Sequence, residues 1–176
     1  TPMLFMGEEF DASTPWQYFT DHSEEWLAES IREGRQAEFA EHGWSGEVPD
    51  PQDPGTVETS TLEWAELDQP QHAAMLSWYR TLIALRRRLP DVREAVLGEG
   101  AVARDGDLLL VRRGELNVVA NLGDEPGRLP VALDAEVLAG FGEVRLDDAE
   151  VLLGPGSVGL LLAPPPTGVI PVIADA

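Results

Sequence analysis

Past Arg93 the helical period disappears from this chain and does not return. Eight short apolar runs follow, at 100–104, 108–113, 116–122, 127–132, 135–139, 143–146, 151–153 and 157–162. Asp105-Gly106 and Arg113-Gly114 are hairpin signals between adjacent runs, and the GDEPG stretch at 123–127 is a further turn. Short strands this closely spaced, with no helix pattern between them, predict an antiparallel β-sandwich over 93–163. Val118, Ala120, Leu160 and Leu162 are its expected inward-facing residues.

Upstream the pattern is helical or irregular. The strongest helix signal runs from Asp68 to Leu89: Asp68 caps, Pro70 sits in the first turn, and Met75, Leu76, Tyr79, Leu82 and Ile83 recur at helical spacing. Arg86, Arg87 and Arg88 offset the negative pole at its end, and Pro90 stops it. A weaker, acidic helix is expected over 23–42. Asp21-His22-Ser23-Glu24 has the form of its capping box, and Trp26, Leu27, Ile31 and Phe39 are its few apolar anchors. Between the two helices, Pro49, Pro51 and Pro54 with Gly43, Gly46 and Gly55 predict a long loop, either extended and ordered or disordered, in which the prolines favour stiffness. Residues 164–176, with four more prolines, read as a Pro-rich tail.

The chain opens on an apolar run, residues 2–6, that stops at Gly7 and turns acidic at Glu8 and Glu9. Such a run is how a strand buried on both faces looks where its C-terminal end opens into a site. A strand of that kind needs neighbours to pair its backbone and cover its faces. Rings then crowd together at Trp16, Tyr18 and Phe19.

At 176 residues and 43% apolar, the chain has room for one domain or two small ones. No apolar run is long enough for a membrane helix, and the start lacks the basic region of a signal peptide. There is no cysteine, which fits a cytoplasmic protein. The net charge of -20 makes nucleic acid and anionic membranes poor partners. That charge is uneven: residues 1–68 hold 17 acids and 2 arginines, the remainder 15 acids and 10 arginines.

No set of residues here forms a complete active site. Glu8 and Glu9 are the tempting pair, because glycoside cleavage uses two carboxylates on either side of one bond. Adjacent residues in extended backbone point to opposite faces, so the two are not expected to flank a common bond, although either can line a pocket. Trp16, Tyr18 and Phe19 read either as core residues, the default for aromatics, or, with Gln17, Asp21 and His22 interleaved, as faces that stack on a sugar ring while polar groups take its hydroxyls. His22, His42 and His72 are too scattered for a metal site, and no nucleotide-binding or nucleophile motif is present, so no cofactor is expected.

TPMLFMGEEF resembles the eighth barrel strand of the α-amylase-like glycoside hydrolases. STPWQYFTDH, HGW and VPDPQDPGTVETSTLEW, followed by a long helix, resemble the malto-oligosyltrehalose trehalohydrolase branch of that family. The resemblance covers residues 1–89 well, and the sandwich only in length, position and strand pattern. It implies that residues 1–92 are the C-terminal end of a (β/α)8 barrel, with its last strand, active-site loops and last helix, followed by the sandwich as a C-terminal domain. It implies a retaining glycosidase acting on a maltooligosaccharide-type substrate, with the catalytic Asp and Glu on earlier strands outside this chain and an upstream barrel domain in the same protein. Glu8, Glu9, Trp16, Gln17, Tyr18, Asp21 and His22 would then border the substrate groove, and the Pro-rich loop another part of its wall. The chain alone is expected to be inactive. Two other readings stand beside this one: a related branching or debranching enzyme, and a non-catalytic carbohydrate-binding or structural module.

Overall fold

The computed structural model describes residues 2–43, 46, 48–94, 96, 98 and 100–164. Trp44 of the HGW motif and nearly all of the Pro-rich tail lie outside them. The chain divides into two compact units, Thr1–Tyr79 and Arg80–Ala176.

The first unit is helical and irregular. A 3-10 turn, Glu8–Phe10, is followed by a long loop, then α1 (Glu25–Glu41), α2 (Pro54–Thr59), a second 3-10 turn at Trp64–Asp68, and the start of α3 (Pro70–Arg88). The expected opening strand is not paired into any sheet: Pro2 to Met6 are all exposed, Met3 at 93%. The physical reason is the one that made the segment strand-like. A run built to be covered on both faces finds no edge among the described residues, and unpaired backbone turns to water.

Two other expectations are corrected in this unit. Glu24 occupies the N-cap of α1 with no side-chain cap bond, so Asp21 does not cap the helix, and Trp26 stands 73% exposed instead of anchoring it. Within the Pro-rich stretch, the prolines set up a helix as well as a loop. Asp53 accepts from the Gly55 N–H and Pro54 takes the first helical position, where a missing N–H costs nothing, so α2 forms.

The second unit continues along α3, adds the short α4 (Pro90–Arg93), and then gives eight strands: β1 (Ala101–Asp105), β2 (Leu108–Arg113), β3 (Leu116–Asn121), β4 (Gly127–Pro130), β5 (Glu136–Phe141), β6 (Val144–Asp147), β7 (Glu150–Leu153) and β8 (Ser157–Leu162). All pairings are antiparallel, in a five-stranded sheet ordered β1-β2-β3-β8-β5 and a three-stranded sheet ordered β4-β7-β6. Two-residue connections at 106–107 and 114–115 close the first hairpins, each with its glycine at positive φ. The core joins Val119 and Leu161 of the larger sheet to Leu129, Val151 and Leu153 of the smaller.

The inward parity is the reverse of that expected. Val119 and Leu161 are fully buried, whereas Val118 and Leu162 are only half-buried. Ala120 and Leu160 are also buried, at 8% and 9% exposure, so β3 and β8 are covered on both faces. A strand apolar on both faces gives period-2 reasoning nothing to choose between, and a one-residue shift inverts the assignment. At the rim, the Asn121 amide, 2% exposed, donates to the carbonyls of Glu125, Leu153 and Gly154, while its oxygen accepts from the Gly123 N–H. One side chain there ties the turn at 123–125 to the end of β7, where the Gly154 carbonyl also accepts from the Ser157 hydroxyl.

Candidate functional site

All seven sequence-derived site residues lie in the first unit, on the 3-10 turn and the loop that follows it. Gly7 starts the turn at φ +84, and a Cβ there would stand 2.7 Å from Ala12 Cβ and 2.8 Å from Leu62 Cδ2. Only glycine fits both the backbone and the space. Phe10 then turns inward, 1% exposed, with its ring 5.7 Å from Trp64 and 6.5 Å from His72. His72 Nδ1 lies 2.8 Å from the Phe10 carbonyl, which only accepts, so Nδ1 carries the proton.

Glu8 and Glu9 lie in a 3-10 turn, not in the expected strand, and so point about a third of a turn apart instead of to opposite faces. Glu8 is committed to structure. Its carboxylate accepts from the Phe5 N–H at 3.0 Å and from the Tyr79 hydroxyl at 2.5 Å, and these bonds, led by the one from Phe5, hold its pKa below the usual carboxylate value. The same bond to Glu8, ahead of burial and the charges of Glu8, Glu9 and Asp11, raises the Tyr79 phenol to about 12. Glu9 is half-buried.

The loop from Asp11 to His22 has no sheet or helix of its own. Its backbone is held by side chains and backbone from 50–72. Glu66, 7% exposed, accepts from both the Ser13 N–H and the Ser13 hydroxyl, which lowers its pKa. The Ser60 hydroxyl accepts from the Gln17 N–H at 3.0 Å, and the Pro51 carbonyl from the Thr20 N–H at 2.8 Å. Gln52 closes the far end. Its amide oxygen accepts from the Thr20 hydroxyl and the His22 N–H, at 2.6 and 3.1 Å, and its amide nitrogen donates to the His22 carbonyl at 2.9 Å. A side chain thus supplies both bonds that a neighbouring strand would make to His22. Gln52 is itself fixed by Asp50, which accepts its N–H and that of Arg32 Nε.

So held, the loop presents Trp16, Tyr18 and Phe19 to solvent, at 53%, 40% and 40% exposure. A shallow, open depression is lined by Trp16, Gln17, Tyr18, Arg35, Val48 and Pro49. Phe5 packs edge-on against Trp16, with centroids 5.5 Å apart. Three of the expected residues therefore meet in one pocket. Asp21 and His22 lie further along the same loop, and Glu8 and Glu9 on the turn before it. Among the described residues no three His, Asp or Glu side chains converge as metal ligands, and no helix is long and apolar enough to cross a membrane.

Gln52, Ser60, Glu66 and His72 escaped the sequence reading because each is a polar residue in a stretch that reads as loop or helix surface. The signal available was the loop itself: twelve residues without a periodic pattern must bond their backbone somewhere.

The chain is 45% identical over 92% of its length to malto-oligosyltrehalose trehalohydrolase of Rhizobium sp., and 41% identical over 94% to that of Mycobacterium tuberculosis. Across both units, then, the chain is similar in sequence to malto-oligosyltrehalose trehalohydrolases. It spans 28–29% of the length of these relatives. A domain family of unknown function, DUF3459, matches residues 92–170, which include all eight strands. Among solved structures, a protein from Salmonella typhimurium titled as an alpha amylase aligns with a TM-score of 0.72 at 30% identity, over 90% of this chain and 27% of its own. A trehalulose synthase shares the fold, with a TM-score of 0.52 at 17% identity over 92% of this chain and 35% of its own. The trehalohydrolase family and its α-amylase-like relatives thus match both units of the chain.

Proposed function

We propose that the protein carrying this chain hydrolyses the α-1,4 glucosidic bond next to the terminal trehalose of a maltooligosyl trehalose, releasing trehalose in the cytoplasm. The observation that carries this reading is 41–45% identity across 89–94% of the chain to five relatives of that name. The site geometry supports it: exposed rings beside polar groups, on a loop whose backbone is pinned at both ends, match what a sugar ring requires.

Residues 1–92 complete a (β/α)8 barrel in this reading, with 2–6 as its last strand, and residues 93–163 pack as the C-terminal sandwich. The exposure of Met3, Leu4, Phe5 and Met6 suits a segment whose covering neighbours come from elsewhere in the protein. A retaining mechanism needs one carboxylate as nucleophile, forming a glycosyl-enzyme, and a second group that protonates the departing oxygen and then acts as base toward water. This chain supplies neither. Glu8 is spent on Phe5 and Tyr79, which leaves Glu9, Trp16, Gln17, Tyr18, Asp21 and His22 as groove residues. Trp16 and Tyr18 stack on glucose units while Gln17, Asp21 and His22 take hydroxyls, positioning the substrate for acids held by the upstream barrel.

The test is trehalose release from a maltooligosyl trehalose, measured for the full-length protein and for the purified 176-residue chain. Release by the first and none by the second is expected. Turnover by the chain alone overturns the assignment of the catalytic acids to elsewhere, and branch transfer without trehalose release by the full-length protein overturns the substrate.

A further inference from the structure

Arg35 was not among the residues expected at the site, yet it forms one wall of the pocket. It projects from α1 with its guanidinium carbon 5.3 Å from the centroid of the Tyr18 ring and 5.2 Å from that of Phe39. Glu38, one turn along the same helix, accepts a hydrogen bond from it. The cation therefore lies over two aromatic rings, paired with a carboxylate, and shares the lining of the pocket with Val48 and Pro49.

This placement matters because Tyr18 is otherwise weakly held. Its neighbours in sequence are tied down by backbone bonds at Gln17 and Thr20, but its ring is 40% exposed and extends beyond them. An exposed ring that rotates freely loses entropy when a sugar stacks on it, whereas a ring already fixed does not. A guanidinium over a tyrosine ring is attracted to the ring face even at an exposed site.

We propose that Arg35 is a positioning residue for saccharide binding, which fixes the Tyr18 ring as a stacking platform for a neutral α-linked glucose unit. This rests on the sugar-binding reading of the pocket. The arginine acts through the ring and is remote from bond cleavage, so it contributes equally to ground state and transition state. Its loss weakens binding and leaves the chemical step alone.

The experiment is calorimetric titration of the full-length protein with maltoheptaose, for wild type, R35M and R35K, alongside kcat and KM for trehalose release. R35M keeps the aliphatic contact with both rings and removes the charge; R35K keeps a cation above them. We expect R35M to weaken Kd two- to fivefold, the equivalent of about 0.5–1 kcal/mol, raising KM by the same factor at unchanged kcat. R35K should recover at least half of that loss, which a packing role would not predict. Wild-type affinity in R35M, or equal weakening in both variants, overturns the inference. So does a fall in kcat at constant KM. Failure of the wild type to release trehalose while it still binds maltoheptaose overturns the hydrolase reading and leaves the Arg35 inference standing.

Discussion

Removing the Gln52 side chain should free the distal end of the site loop while leaving the rest of the fold in place. In Gln52→Ala the Thr20 hydroxyl, the His22 N–H and the His22 carbonyl all lose the partner they now hold at 2.6, 3.1 and 2.9 Å. Each such bond contributes a net ~1 kcal/mol. The site is half-buried, so water recovers part of that, leaving about 1–2 kcal/mol of local ordering lost. Because 1.36 kcal/mol is a factor of ten, amide exchange at His22 should accelerate about 5- to 30-fold. The Gln17 amide, held independently by Ser60, should change far less. Gln52→Glu is isosteric and still accepts from His22 and Thr20 but cannot donate, so it should fall between wild type and Gln52→Ala. Hydrogen exchange followed by NMR resolves these amides one by one. His22 protection within twofold of wild type in Gln52→Ala would refute the claim that this side chain stands in for a strand.

Two further predictions concern other parts of the chain. Asn121→Leu removes the donor to the Glu125, Leu153 and Gly154 carbonyls, of which Gly154 keeps the Ser157 hydroxyl, and the acceptor of the Gly123 N–H, and should cost about 2–4 kcal/mol in urea unfolding; a loss below 1 kcal/mol would show that those groups find other partners. Glu66 has its folded pKa lowered from 4.5, first by the Ser13 hydroxyl and then by the Ser13 N–H. Its contribution to holding the loop is therefore complete above that value and lost as pH falls through the folded pKa. Exchange at the Ser13 amide, corrected for its intrinsic pH dependence, should lose protection on acidification in wild type and stay flat in Glu66→Gln.

The sandwich was legible because its turns are marked in the sequence. Gly106 and Gly114 sit at positive φ where the hairpin signals placed them, and strand bounds followed to within two residues. Which side of β3 and β8 faces the inter-sheet core was not legible, since LNVVAN and SVGLLL are apolar on both faces and both faces are covered. The aromatic cluster at 16–19 was visible as composition, and three of the seven named residues line the pocket. The opening run has no sheet partner among the described residues: its composition suits a strand covered on both faces, and residues 2–6 are exposed. Arg35 was missed because a basic residue on an acidic helix reads as a solvated face; the approach of the loop adds the Tyr18 ring to that of Phe39 on the same helix.

The placement of the loop's bonds assigns the Pro-rich stretch its part. A groove wall alone would require only that Val48 and Pro49 reach the pocket, which they do. It would not require that Pro51, Gln52 and Ser60, within ten residues, each take a backbone or side-chain group of the loop on the far side. Nor would it require Asp50 to fix Gln52 while pairing with Arg32 of α1, the helix that also carries Arg35. One acidic residue thus links the clamp on the loop to the helix behind the pocket. Pro49, Pro51 and Pro54 restrict the backbone on either side of that link, so the chain loses less entropy in forming it. The stretch has the composition of a loop and acts as a scaffold, with Pro49 and Pro51 stiffening the residues before α2 and Pro54 starting that helix.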